Sequence, residues 1–195
     1  MNVNKQKLKE YYFEYPGSRL RLRQLERAVK IPLPSVKRYT EELIKEGFLE
    51  IFEVSGVKFY QTKSDRQFFF EKKLYNLRKI WGSGLIDYFR EEYDDPNIIL
   101  FGSYADGEDV ETSDIDLFLE ISGKVKEFPK KFELSLNKPI QLFIHRKITD
   151  IPNKMLINSI MNGETLNGHV SIYPRKNLAR LLSKQKSKTK KKKSR

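Results

Sequence analysis

Apolar side chains recur at helical intervals over three stretches of the first 62 residues. Leu8, Tyr11, Tyr12 and Tyr15 share one face of a first helix, which Pro16-Gly17 ends. Leu22, Leu25, Ala28 and Val29 mark the inner side of a short second helix over 22–29. Pro34 suits an early position in a third helix, where a missing N–H costs nothing. Val36, Tyr39, Thr40 and Leu43 give that helix a buried face, and Gly47 closes it. Residues 48–54 and 57–61 then flank Ser55-Gly56, which predicts a β-hairpin. Over 64–93 the helical period returns, carried by Phe68, Phe69, Leu74, Leu77, Ile80, Trp81, Leu85, Ile86, Tyr88 and Phe89, with a break at Gly82-Ser83-Gly84. So many apolar positions predict a helix packed on both of its neighbours, with its aromatic row in the core. The unbroken run 98–101 reads as a strand covered on both faces. Further strands are predicted from Asp114 and over 139–145, then a helix over 153–161 and an extended segment over 163–173.

Charge divides the chain differently. Among 195 residues the net charge is +12. Residues 1–62 hold 12 basic and 8 acidic side chains, residues 63–182 hold 18 of each, and residues 183–195 hold 8 basic and none acidic. The tail SKQKSKTKKKKSR has nothing to bury, so it is expected to be disordered, either as a solvated tail or as an electrostatic hook for nucleic acid. No run reaches the roughly 18 apolar residues of a membrane span, and the N-terminus lacks a signal-peptide core. The expectation is a soluble cytoplasmic protein without membrane contact. Zero cysteines exclude disulfides, thiolate metal sites and a cysteine nucleophile, and two histidines do not make a zinc site.

The candidate chemistry lies between Asn97 and Glu120. Alternation along the strand after Ser113 puts Ile115, Leu117, Leu119 and Ile121 on one face, and Asp114, Asp116, Phe118 and Glu120 on the other. Two carboxylates thus share a face at the start of a buried strand. At ~5 Å and an effective dielectric of ~20 they repel by about 3 kcal/mol, a cost that a divalent cation would offset. Oxygen ligands on a rigid strand suit Mg²⁺, with Mn²⁺ an alternative. Gly102-Ser103, at the end of the preceding strand, supplies what a phosphate needs: close backbone approach, a hydroxyl and free N–H groups.

Two resemblances follow from these residues. The segment RQLERAVKIPLPSVKRYTEELIKEGFLE, followed by the hairpin, resembles the winged helix-turn-helix family over about 60 residues. This resemblance implies a third helix in the DNA major groove, with Ser35, Lys37 and Arg38 near the bases and Lys58 of the wing on a phosphate. Arg19, Arg21 and Arg23 would flank the backbone. Glu41, Glu42 and Glu46 on the same helix oppose that reading, and a protein-contact role stays open. The run Phe101-Gly102-Ser103, ten residues, then Asp114-Ile115-Asp116-Leu117 resembles the minimal nucleotidyltransferases of the DNA polymerase beta-like superfamily. By that resemblance Gly102 and Ser103 bind the triphosphate of a nucleoside triphosphate substrate, Asp114 and Asp116 hold Mg²⁺, and the sheet is small, mixed and covered by helices on one side. The third acidic residue of the superfamily belongs on a later strand, where this chain has Gln141. An amide brings no charge and cannot act as a base. His145, further along the same face, is a candidate substitute or a surface residue.

The chain is therefore expected to be α+β, with a winged helix-turn-helix domain at 1–62, connecting helices at 63–96, a small mixed-sheet nucleotidyltransferase domain at 97–174 and a basic tail at 175–195. One functional expectation is a Mg²⁺-dependent enzyme moving NMP from an NTP to an unknown acceptor. Members of this size often act with a helical protein partner, including as antitoxins that nucleotidylate a HEPN-domain toxin. The other is a DNA-binding transcriptional regulator whose nucleotidyltransferase domain is degenerate and senses nucleotides.

Overall fold

The computed structural model describes residues 3–122 and 128–172; the basic tail at 175–195 lies outside the described residues. Three helices, α1 (Val3–Glu14), α2 (Leu22–Val29) and α3 (Leu33–Lys45), precede a hairpin of β1 (Leu49–Val54) and β2 (Val57–Thr62). Their core gathers Leu8, Tyr12, Phe13, Leu25, Val36, Tyr39, Leu43 and Leu49. The buried face of α3 is Val36, Tyr39, Thr40 and Leu43, as its spacing predicts. Ala28, expected inward, is exposed. A bridge between Leu20 and Tyr60 lays the segment before α2 beside β2.

Helix α4 (Arg66–Gly82) starts on Asp65, whose carboxylate accepts the Phe68 N–H at 3.0 Å. It ends at the predicted break, and α5 (Leu85–Glu92) follows Gly84, which adopts φ 73°. Helix α4 serves two cores. Phe68 is buried with α1 and α3, whereas Ile80 is buried against the sheet. Polar contacts tie α1 to it: Lys9 Nζ lies 2.7 Å from Glu71, and Tyr75 donates to Glu14 at 2.6 Å. Its aromatic and apolar row is not all core. Leu74 is 47% exposed and Trp81 51% exposed, because buried positions 68, 72, 76 and 80 take the opposite side of the helix.

The sheet has four strands, β3 (Asn97–Phe101), β4 (Ile115–Glu120), β5 (Ile140–His145) and β6 (Glu164–Asn167), in the order β5-β4-β3-β6. Strands β4 and β5 are parallel, and the other neighbours are antiparallel. The sheet is thus mixed and the protein α+β. Helices α6 (Gly102–Asp106), α7 (Lys131–Leu136) and α8 (Lys154–Met161), with a 3-10 turn at Ile148–Asp150, complete the described elements.

Helices do not lie on one side only, contrary to the expectation. Ile98, Leu100, Ile115, Leu117 and Leu119 pack on α4, α5 and α7, while Ile99, Phe101 and Phe118 pack on Ile148, Ile151 and Ile160 of the other layer. The physical reason is in β3, an apolar run with no polar face to give to water. Among the described residues no helix is long and apolar enough to cross a membrane.

Candidate active site

The pairing directions bring three strand ends to one edge. The C-terminal end of β3 meets the N-terminal ends of β4 and β5, so Phe101, Asp116 and Gln141 stand in one row across three strands. Asp114 immediately precedes β4. At Gly102 the chain leaves β3 with φ 75° and enters α6. A Cβ there would collide with Asp116 Oδ2. Only glycine therefore permits both the turn and the packing of backbone on carboxylate. Ser103 opens the first turn of α6 and is half-buried.

Gln141 reaches across from β5 to both carboxylates. With its carboxamide oriented to donate, as two facing carboxylates require, its nitrogen lies 3.1 Å from Asp114 Oδ2 and 3.1 Å from Asp116 Oδ1. One NH₂ group thus bridges the pair. Burial, then the Asp114 charge, pushes the Asp116 carboxyl up to about 6 from an ordinary 3.8. The hydrogen bond from Gln141 pulls the other way, since it favours the ionised form. His145 pairs with Glu120, four residues beyond Gln141, or about 13 Å along the strand. Its ring stacks near Phe118, with centroids 6.5 Å apart. It is too far away to replace a carboxylate at Asp116.

The connection between α6 and Asp114 is held by side chains that sequence reasoning passed over. Asp109 is 2% exposed and lies 2.9 Å from Lys72 Nζ and 3.2 Å from Lys138 Nζ. Asn76 donates to Asp109 at 2.7 Å and to the Tyr104 carbonyl at 2.9 Å. Lys138 also donates to the carbonyls of Val110, at 2.5 Å, and Ser113, one residue before Asp114. Burial lowers the Lys72 ammonium, and Asp109 opposes the shift. Gly107, at φ 76°, lets this loop touch α4, for a Cβ there would strike the Phe69 carbonyl. The signal was present: Lys72 and Asn76 fall between Phe68 and Ile80 on one i, i+4 ridge, where polar residues must find buried partners.

The other predicted site residues belong to the N-terminal unit. Ser35, Lys37 and Arg38 occupy the first half of α3, Ser35 half-buried and both cations exposed. The Arg38 guanidinium lies over the Tyr39 ring at 4.6 Å and donates to the Tyr39 hydroxyl at 2.5 Å. Lys58 is exposed on β2, opposite Glu53. The site at the sheet edge joins Gly102, Asp114, Asp116 and Gln141, and none of these four residues of the N-terminal unit takes part in it. Among the described residues no group of three or more His, Cys, Asp or Glu gathers that could hold a metal ion. At this edge the third polar side chain beside Asp114 and Asp116 is the Gln141 amide.

The sheet edge thus carries a glycine turn packed on Asp116, with the Gln141 amide between Asp116 and Asp114. The family model for the nucleotidyltransferase domain matches residues 83–192, more than half of the chain. The chain belongs to the nucleotidyltransferase domain family, whose chemistry is nucleotidyl transfer from a nucleotide substrate. No curated protein and no solved structure matches the chain significantly.

Proposed function

We propose that the protein binds a Mg²⁺-nucleoside triphosphate at the edge formed by Gly102, Ser103, Asp114 and Asp116, and transfers its nucleotidyl group to an acceptor, the bond to the α-phosphorus forming as the α–β phosphoanhydride breaks and pyrophosphate leaves. The observation that carries this reading is the contact among Gly102, the carboxylate pair and Gln141. The donor set fits a hard cation: the Gln141 NH₂ already bridges the two carboxylates, and a flip of the carboxamide would present its oxygen to the same place. Asp114 and Asp116 would hold the metal, with the Gln141 carbonyl as a neutral third ligand. When bound, Mg²⁺ supplies charge neutralisation of the phosphate oxygens and polarises the phosphorus. The chain itself binds and orients. Gly102 lets the backbone turn closely beside Asp116, and the Ser103 hydroxyl and backbone N–H groups donate to the triphosphate. Gln141 bridges the two carboxylates through its NH₂ only until that flip, and in neither orientation does it take a proton from an acceptor.

Gln141 also favours a second reading, a regulator that binds nucleotides without turnover. The three helices and hairpin of residues 1–62 then act as a winged helix on DNA through Ser35, Lys37, Arg38 and Lys58. Calorimetric titration with Mg²⁺-triphosphates tests the common ground. The native protein should bind, and Asp114→Asn with Asp116→Asn should abolish binding while leaving the apo fold at least as stable. Equal binding by the Asn variant would overturn the site. Labelled triphosphate separates the two readings: turnover in the native protein, raised by Gln141→Asp, marks the enzyme, whereas turnover that arises only in Gln141→Asp marks the sensor.

A further inference from the structure

Helix α4 is apolar on the side that faces water. Phe70 is 60% exposed, Leu74 47% and Trp81 51%, and Leu77 lies between them, half-buried. At 100° per residue these four fall within an arc of about 60°, a ridge about 16 Å long. Their spacing is four, three, four, and their order is aromatic, leucine, leucine, aromatic. The ridge therefore reads the same in both directions about a point midway between Tyr75 and Asn76. We propose that it is the contact through which two copies of this chain pair, α4 against α4, antiparallel about a two-fold axis.

The symmetry makes the surface complementary to itself. Phe70 of one copy meets Trp81 of the partner subunit, and Leu74 meets Leu77 of the partner subunit. Charge follows. Glu71 and Arg78 flank the ridge on the same side, and the two-fold places Arg78 about 3 Å along the axis from Glu71 of the partner subunit. Glu71 holds Lys9 and Gln67, and its oxygens have capacity for another donor. Arg78 has no ion pair among the described residues. On the other flank Lys73 is neutralised by Glu164 at 2.5 Å, so like charges do not oppose the approach. This pairing does not depend on the nucleotide site.

Sedimentation equilibrium of the full chain decides the matter. A dimer dissociating at micromolar concentration is expected, with a blue shift of the emission of Trp81, the single tryptophan, as concentration rises. Leu74→Glu and, independently, Phe70→Glu should each weaken pairing by about 30-fold or more. Both positions are exposed, so melting and circular dichroism should stay native. Arg78→Glu should weaken the dimer about threefold, and adding Glu71→Arg should restore it. A monomer at every concentration overturns the proposal, as does a dimer indifferent to both glutamate variants. Failure of the charge swap to recover pairing overturns the antiparallel register.

Discussion

At the scale of single residues, Asp116 carries a structural cost at the proposed site. Its folded-state value of about 6 exceeds the ordinary 3.8, so the folded protein holds this proton more tightly than the unfolded chain does. The sign follows: stability falls as pH rises from about 4 to about 6, then levels off. Asp116→Asn removes this dependence. Scanning calorimetry should show the native melting temperature declining relative to the variant across that interval. Stabilisation by Mg²⁺-triphosphate should be larger near pH 7 than near pH 5, since the ionised carboxylate is the form that holds a cation. Parallel pH profiles for the two proteins would contradict this origin of the shift. The sequence made Gly102, Ser103, Asp114 and Asp116 legible because they sit in one short motif. Gln141 was legible only as an offset on a later strand, and its two hydrogen bonds needed the register of β4 with β5.

At the scale of elements, the loop before Asp114 depends on a helix distant in sequence. Asp109 stands between Lys72 and Lys138, and its removal leaves two buried ammonium groups without a counter-charge. Asp109→Ala should cost about 3–5 kcal/mol in urea denaturation. Lys72→Met should cost less than half as much, because Asp109 keeps Lys138 and Asn76. Equal losses would mean that the three groups act as one unit with no preferred partner. Element boundaries were largely readable: α2, the hairpin, the break at Gly82 and the strand pair β3–β4 all follow from periodicity and turn residues. Helix α7 was not, since six residues give too short a period to detect. The second helical layer was missed for a different reason, because an apolar strand shows that both faces are covered without showing by what.

At the scale of the whole molecule, charge and architecture make separate statements. The excess of cations at 1–62 and 183–195 supports salt-sensitive DNA binding under the winged-helix reading. Deleting residues 184–195 should weaken non-specific retention and flatten its dependence on salt, while Arg38→Ala should affect a site-specific component more. Mobility-shift titrations at several salt concentrations check both, and indifference to both changes would assign this unit to protein contacts. Helix α4 carries another consequence. The family match begins at Ser83, directly after this helix, yet α4 supplies Lys72 and Asn76 to the loop before Asp114 and Phe68 to the N-terminal core. A genetic exchange that replaced residues 1–62 would leave Phe68 without its partners in the N-terminal core, and one that took residues 83–192 alone would leave Asp109 with Lys138 but without Lys72 and Asn76. The two halves can be traded between lineages only with the beam that joins them, and any descendant of such an exchange must carry residues 66–82 together with both faces they serve.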